Sequence, residues 1–380
     1  MASPGTAPLQ VTFEPSSISG AAATHGLLAA MLRATEKVSD LIFSPGRPPQ
    51  VEVYGQLIAV QGPGLRLLTA DDTRRIASDL IGDNKQAINV LREQGSCDIS
   101  FGLPGLARFR VNIFIQRGSC AVVMRVIPTK IPEFAALGLP PHLGEIASLR
   151  DGIVLVTGAR GSGKSSTLAA LLDRINEKQT CHIITIEDPI EFLHNHKQST
   201  IHQRELHSDT PSFALALRAA LRQAPKVILV GELRDRETME MVLEAAETGH
   251  LVLSSLNAPN AAKTLERIVS AFPPPEQLAL RGRLAKTLRY VISQQLLPRK
   301  NGGRVAILEV FKNTPRTVQY LDCEDASGGT LLEAVKSGAS EGMLHFDQEI
   351  EKLVRAGVVD HEVGLTYATD SQQLQRALTQ

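Results

Sequence analysis

Apolar positions along this chain follow a helical or an alternating period in turn, and the way the two are mixed changes near residue 140. From Ala21 to Val38 the residues Leu27, Leu28, Met31 and Leu32 return at helical spacing, Gln50–Val60 alternates as a strand pair around Tyr54-Gly55, and Asp71–Gln94 is helical again. Arg108–Gln116 alternates with Phe109, Val111, Ile113 and Ile115 on one face; a turn at Gln116-Arg117-Gly118-Ser119 leads into an extended Ala121–Ile127. These elements predict a small α+β domain over residues 20–127. Before it, residues 1–19 are rich in Pro, Ser, Thr and Ala, the composition of a flexible tail. After it, Pro128, Pro132, Pro140 and Pro141 make 128–141 poor helix material and mark a linker.

Beyond the linker, short apolar strands alternate with helices. Ile153–Thr157, His182–Ile186, Lys226–Val230 and His250–Ser254 are near-continuous apolar runs, the pattern of a twisted sheet buried on both faces. A helix over Thr238–Thr248 stops at Gly249, and one over Ala214–Gln223 stops before Pro225. The fold class is therefore α/β, with the sheet domain over 142–310. From Ala279 onward helical patterns dominate, broken by Asn301-Gly302-Gly303 and one strand, Arg304–Val310, so 311–380 is expected to be mostly helical.

Composition narrows the function without choosing it. Lys+Arg and Asp+Glu both number 40, so no net positive field recruits nucleic acid. Cys97, Cys120, Cys181 and Cys323 are scattered, with no C-x-x-C pair to hold zinc and no disulfide framework. No apolar run approaches the roughly 20 residues that span a bilayer, and Met1–Ser19 lacks the charged-then-apolar order of a signal peptide. The expectation is a cytoplasmic protein that reaches a membrane only through a partner.

The chemistry begins at Gly158, Ala159, Arg160, Gly161, Ser162, Gly163, Lys164 and Ser165, which follow an apolar strand and precede the helical Ser166–Lys178. This is G-x-x-x-x-G-K-[ST] in its strand–loop–helix setting: small residues let backbone N–H groups wrap phosphates, Lys164 meets the β- and γ-phosphates, and the Ser165 hydroxyl holds Mg²⁺. A second apolar strand, Val227–Val230, runs into Gly231 and Glu232, a carboxylate placed to polarise the attacking water. A third ends in Glu187, Asp188 and Glu191 around Pro189, a carboxylate group suited to Mg²⁺. His194, His196, His202 and His207 crowd one segment, but their spacing follows no ligand template.

Together the segments GARGSGKSSTLAALLD, ITIEDPIEFLH with QREL, LRAALRQAPKVILVGELRDRET and AAETGHLVLSSL resemble the Walker A, acidic-box, Walker B and His-box motifs of the PilT-type motor ATPases of type IV pili. FGLPGLARFRVN and AAKTLERIVSAFPPPEQ extend the likeness over nearly the whole chain. The resemblance implies a PAS-like N-terminal domain, a RecA-like ATPase domain and a helical C-terminal region. It further implies a homo-hexameric ring that hydrolyses ATP with Mg²⁺ to retract the pilus in twitching motility. Such a ring would sit at the inner membrane through the platform protein, with a paralogous pilus ATPase as a further partner.

Residue by residue, the likeness makes Lys164, Ser165 and Ser166 nucleotide ligands, Ser165 and Glu191 metal ligands, Glu232 the catalytic glutamate and His250 the first His-box histidine. Arg110 and Arg125 stand where the family places arginines that reach nucleotide, to act as fingers on the transferring phosphoryl group. Two features depart from the family. Asn257 replaces the second His-box histidine, and an amide takes no proton near neutral pH. The segment Phe311–Gly329 also lacks the family's A-I-R-A-G-E-L-like sequence. They leave an alternative open, a nucleotide-binding accessory ring that hydrolyses little and assists another motor.

Overall fold

The computed structural model describes residues 8–11, 21–35, 38–63, 65–128, 130–322 and 330–379, so most of the expected tail lies outside the described residues. The chain divides into two compact units, Met1–Thr129 and Lys130–Gln380.

The first unit holds helices α1 (Ala21–Arg33), α2 (Ala70–Ile81) and α3 (Lys85–Gln94), with strands β1 (Leu9–Gln10), β2 (Val38–Phe43), β3 (Gln50–Val53), β4 (Gln56–Gln61), β5 (Ser96–Leu103), β6 (Ala107–Gln116) and β7 (Ser119–Ile127). The strands form one sheet in the order β1-β4-β3-β2-β7-β6-β5. Its apolar face packs on the helices through Leu28, Met31, Leu41, Phe43, Phe109, Val111, Ile113 and Met124. The single helix expected over Asp71–Gln94 is two, because Gly82 turns the chain at φ 55° and the Asn84 side chain accepts from Ala87 N to start α3. Val38–Phe43, partly assigned to the preceding helix by periodicity, is the central strand β2, and β5 was not anticipated.

The stretch 128–141 contains a short helix, α4 (Phe134–Leu137), followed by a 3₁₀ segment, Pro141–Ser148. Leu139, Leu143 and Ile146 are buried in the second unit's core, so apolar contacts hold much of this Pro-rich segment against that domain.

The second unit continues with β8 (Gly152–Thr157), α5 (Lys164–Lys178), β9 (His182–Glu187), β10 (Thr200–Glu205), α6 (Phe213–Ala220), β11 (Val227–Val230), α7 (Arg236–Glu247), β12 (Leu251–Leu256), α8 (Ala261–Ser270), α9 (Pro274–Thr287), β13 (Leu288–Pro298) and β14 (Arg304–Lys312). It closes with α10 (Gln319–Asp322), α11 (Leu331–Ser337), α12 (Phe346–Arg355), α13 (His361–Tyr367) and α14 (Ser371–Thr379). The sheet order is β10-β9-β11-β12-β8-β13-β14, parallel up to β13, with β14 antiparallel at the edge. Successive strand residues serve opposite cores. Ile153, Leu155, Ile184, Ile186, Ile228 and Val230 face α6 to α9, while Val154, Val156, Ile183, Val227 and Leu229 face α5 and the 3₁₀ segment.

Strand β13 lies where the sequence pattern pointed to helix. No Gly or Pro separates it from α9, and Ser293-Gln294-Gln295 interrupts its apolar run, so the local signal resembles a continuing amphipathic helix. Tertiary pairing on both sides, with β8 and β14, overrides that signal.

On β14, the buried Glu309 accepts a hydrogen bond from Ala261 N at the start of α8 (2.8 Å). Burial pushes its carboxyl up to about 7, opposed by that hydrogen bond and aided by the negative Asp347. A raised carboxyl binds its proton more tightly in the folded state, so its contribution to stability is lost as pH rises from the ordinary glutamate range to about 7. Glu309→Gln keeps an acceptor for Ala261 N and removes the titration. Relative to the parent, the variant should therefore gain on the order of 1–3 kcal/mol between about pH 5 and pH 8, read by denaturant or thermal unfolding. A stability difference that stays flat over that range would contradict the assignment.

Candidate active site

The loop from Gly158 to Gly163 leaves the fully buried β8 and enters α5 at Lys164. Gly158, Gly161 and Gly163 have φ of 146°, 80° and 93°. A Cβ on Gly158 would lie 2.4 Å from the Gln294 carbonyl oxygen, and one on Gly163 would lie 2.7 Å from Gln294 Nε2, so neither position admits a side chain. The left-handed backbone and the helix N-terminus make a concave run of amide donors, the chemistry of an anion cradle. Ala159 and Arg160 are exposed, whereas Ser162 is buried with its Oγ lacking a hydrogen-bond partner. An orphaned hydroxyl beside such a cradle fits a phosphate-bearing ligand. Ser165 and Ser166 stand half-buried in the first turn of α5.

Lys164 Nζ donates to the Gly158 and Ala159 carbonyls (3.0 and 2.9 Å) and to Asn257 Oδ1 (2.8 Å). The same Asn257 amide donates through Nδ2 to Glu232 Oε1 at 2.5 Å. One side chain thus joins the loop lysine to the strand-end glutamate, and its orientation is fixed, since only Oδ1 can accept from an ammonium. Burial pushes the Lys164 ammonium below its ordinary value, while Glu232 and Glu191 favour its charge.

Glu232 is held from the other side by Arg234, whose Nε donates to Glu232 Oε2 (3.0 Å) and whose Nη1 donates to Asp188 Oδ2 (3.0 Å). These bonds, that to Glu232 first, keep the guanidinium firmly protonated. The backbone before and after Glu232 is tied to β12: Ser254 Oγ donates to the Val230 carbonyl, Ser255 Oγ to the Gly231 carbonyl, and Leu233 N to the Ser255 carbonyl. Arg234 and Ser255 were missed by sequence reasoning. The signal for Arg234 was available in its i+2 spacing from Glu232.

The acidic segment closes the group. Glu187 at the end of β9 accepts from Thr185 Oγ1 (2.6 Å) and Gln203 Nε2 (3.1 Å), and burial pushes its carboxyl above the usual range. Glu191 is exposed, its N–H donating to Glu187 Oε2 at 3.4 Å. The structure therefore brings Glu191 and Glu232 within electrostatic reach of Lys164 at the carboxyl edge of the sheet.

It does not bring His250 there. Leu251 pairs with Gly152 and Leu256 with Thr157, so His250 precedes the first residue of β12 and lies about 20 Å from the phosphate loop, across the full strand length. Its Nδ1 is 2.9 Å from the Ala245 carbonyl and 3.2 Å from Thr248 Oγ1, a polar closure of the α7 C-terminus. Arg110 and Arg125 belong to the first unit, where they are register partners on β6 and β7. Arg125 pairs with the buried Asp40 at 2.9 Å and Arg110 with Asp98 at 4.0 Å. Of the crowded histidines, His202 Nδ1 is 2.9 Å from His182 Nε2, and His196 Nδ1 accepts from Ile201 N. Burial lowers His194 to about 4. Among the described residues no group of three or more His, Cys, Asp or Glu is arranged to hold a metal ion.

Strand order and loop placement put the second unit among the P-loop ATPases, which bind nucleotide at the carboxyl edge of a parallel sheet. The chain belongs to the type II/IV secretion system protein family, which it matches over residues 84–372. It is 41% identical over 329 residues to the type IV pilus retraction ATPase PilT of Pseudomonas aeruginosa, covering 87% of this chain and 94% of that protein. It is 42% identical over 328 residues to a twitching motility protein of Neisseria gonorrhoeae, covering 86% of each. The crystal structure of the pilus retraction motor PilT with bound ADP superposes with a TM-score of 0.79 at 40% identity, over 89% of this chain and 95% of that one. Among the described residues no helix is long and apolar enough to cross a membrane.

If the Asn257 bridge orients Glu232, a carboxylate at that position should undo it. Asn257→Asp sets like charges within hydrogen-bond distance and removes the donor, so ATPase turnover near pH 8 should fall at least tenfold. Turnover is compared with the parent at intervals from about pH 6 to pH 8. A variant that matches the parent across this range would show that the bridge has no part in turnover.

Proposed function

We propose that this chain is an ATP-hydrolysing motor subunit that drives type IV pilus retraction as a homo-hexamer, working on the cytoplasmic side of the inner membrane through the pilus platform protein. The observation that carries the reading is the Lys164–Asn257–Glu232 chain of hydrogen bonds at the carboxyl edge of the sheet. The 41% identity to the PilT named above, over most of both chains, supports the pilus assignment.

In this reading Lys164 exchanges its loop and Asn257 acceptors for phosphate oxygens, a strong charge-assisted contact. Glu232 then orients and deprotonates the attacking water, with Arg234 fixing its second oxygen. Ser165 and Glu191 are the residues that would hold Mg²⁺, an ion that takes few protein ligands and keeps several waters, and that would neutralise charge on the phosphates. Arg110 and Arg125 enter the proposal as cations for the transferring phosphoryl group. His250, at the opposite edge, is left out of the chemistry of its own subunit.

The relatives named above lend no support to the alternative, an accessory ring that binds nucleotide and hydrolyses little. Both Glu232 oxygens are engaged, Oε1 by Asn257 and Oε2 by Arg234, which restrains the base.

Steady-state phosphate release on the purified oligomer separates the two. The motor reading expects turnover that rises with assembly, is abolished in Lys164→Ala together with ATP-dependent thermal protection, and falls by on the order of 10² in Glu232→Gln while ATP still binds. Parent turnover as low as that of Glu232→Gln would establish the accessory reading. Tight ATP binding by Lys164→Ala would overturn the phosphate loop itself.

A further inference from the structure

We propose that Gln294, on β13, is a positioning residue for phosphate binding that aims the Gly163 N–H into the anion cradle; the inference rests on the phosphate-loop reading above. Ser293 pairs with Thr157, the last residue of β8, and their hydroxyls meet at 2.9 Å. Gln294 therefore lies one residue beyond the end of β8, directly against the loop, and it is almost wholly buried.

Both ends of its amide are engaged by the nucleotide-binding segment. Gln294 Nε2 donates to the Ser162 carbonyl at 2.7 Å, and Gln294 Oε1 accepts from Thr167 Oγ1, in the first turn of α5, at 2.6 Å. The orientation is forced by chemistry. A carbonyl only accepts, so the NH₂ end must face Ser162. The Gln294 backbone and side chain also fill the space above Gly158 and Gly163, where a Cβ could not fit.

The consequence follows from peptide geometry. In a trans peptide the C=O and the N–H of the next residue point in opposite directions. With the Ser162 carbonyl drawn inward to Gln294, the Gly163 N–H is turned away from the protein interior, toward the concave side of the loop. That N–H is one of the first amides of α5, which carry no intrahelical partner and sit at the positive end of the helix. Gly163 at φ 93° makes the rotation of this peptide inexpensive in either direction, so something outside the loop has to choose one. The buried amide of Gln294 makes that choice. Residues that touch the reacting atoms, Lys164 and Glu232, are reached by other contacts, so Gln294 acts on nucleotide affinity rather than on the chemical step.

The test is Gln294→Glu in the full chain. The carboxylate keeps the acceptor for Thr167 and the side-chain shape, but sets oxygen against the Ser162 carbonyl and favours the flipped peptide. Titration with a fluorescent ATP analogue in Mg²⁺ should show Kd and KM rising at least tenfold, with kcat at saturating ATP within about threefold of the parent. Should this variant fail to fold, Gln294→Met, of similar volume and without a donor, carries the same test. A folded variant of either kind whose Kd stays within twofold, whatever its melting temperature, overturns the inference, as does a loss confined to kcat. Lys164→Ala run alongside separates the two levels. If it loses nucleotide while the Gln294 variants keep it, the inference about Gln294 alone fails; if it too keeps nucleotide, the phosphate-loop reading fails.

Discussion

The site depends on one constraint, the burial of both faces of the second sheet. Each strand sends alternate residues into cores on opposite sides, so a strand cannot slip by one residue without exposing its apolar set. That locks the registers of β8, β9, β11 and β12 relative to one another and delivers four chain segments to the same edge at a fixed height. Phosphate loop, acidic segment, Glu232 and Asn257 are neighbours because their strands end together, not because any of them is near another in sequence.

At that edge the electrostatics are arranged around a single amide. Asn257 accepts from a lysine whose charge burial disfavours and donates to a carboxylate that Arg234 also restrains. A neutral bridging group satisfies both partners without adding a titrating charge of its own. The group between lysine and glutamate in this chain therefore carries no proton of its own to gain or lose, whereas an imidazole there would change its charge near neutral pH. Against the histidine that the resemblance to the PilT-type motors implies at this position, the amide keeps a donor and an acceptor and removes a proton switch.

What was legible in the sequence was local. The phosphate loop occupies eight consecutive residues between a strand and a helix, and Glu232 follows an unmistakable apolar strand, so neither required knowledge of the rest of the chain. The bridge was not legible, since Lys164 and Asn257 lie 93 residues apart and Asn257 and Glu232 lie 25 apart, and only strand register joins them. His250 shows the converse case. A motif shared with a family placed it among the catalytic groups, yet register sets it at the far end of β12. Strand β13 was hidden because the polar Ser293, bonded to the end of β8, and Gln294, bonded to the loop, interrupt the apolar run by which a buried strand is recognised. The division of α2 from α3 turned on one glycine at positive φ, a signal easily absorbed into a longer helical period.

The central claim is that nucleotide binds at the carboxyl edge of the second sheet and nowhere else on it. Backbone hydrogen exchange measured by mass spectrometry with and without Mg-ATP addresses that claim without relying on turnover. The account predicts slowed exchange in 158–166, at 231–233 and around Asn257, with no change at Thr248–Leu251 on the opposite edge. Protection centred on His250, or none in the phosphate loop at saturating nucleotide, would contradict it.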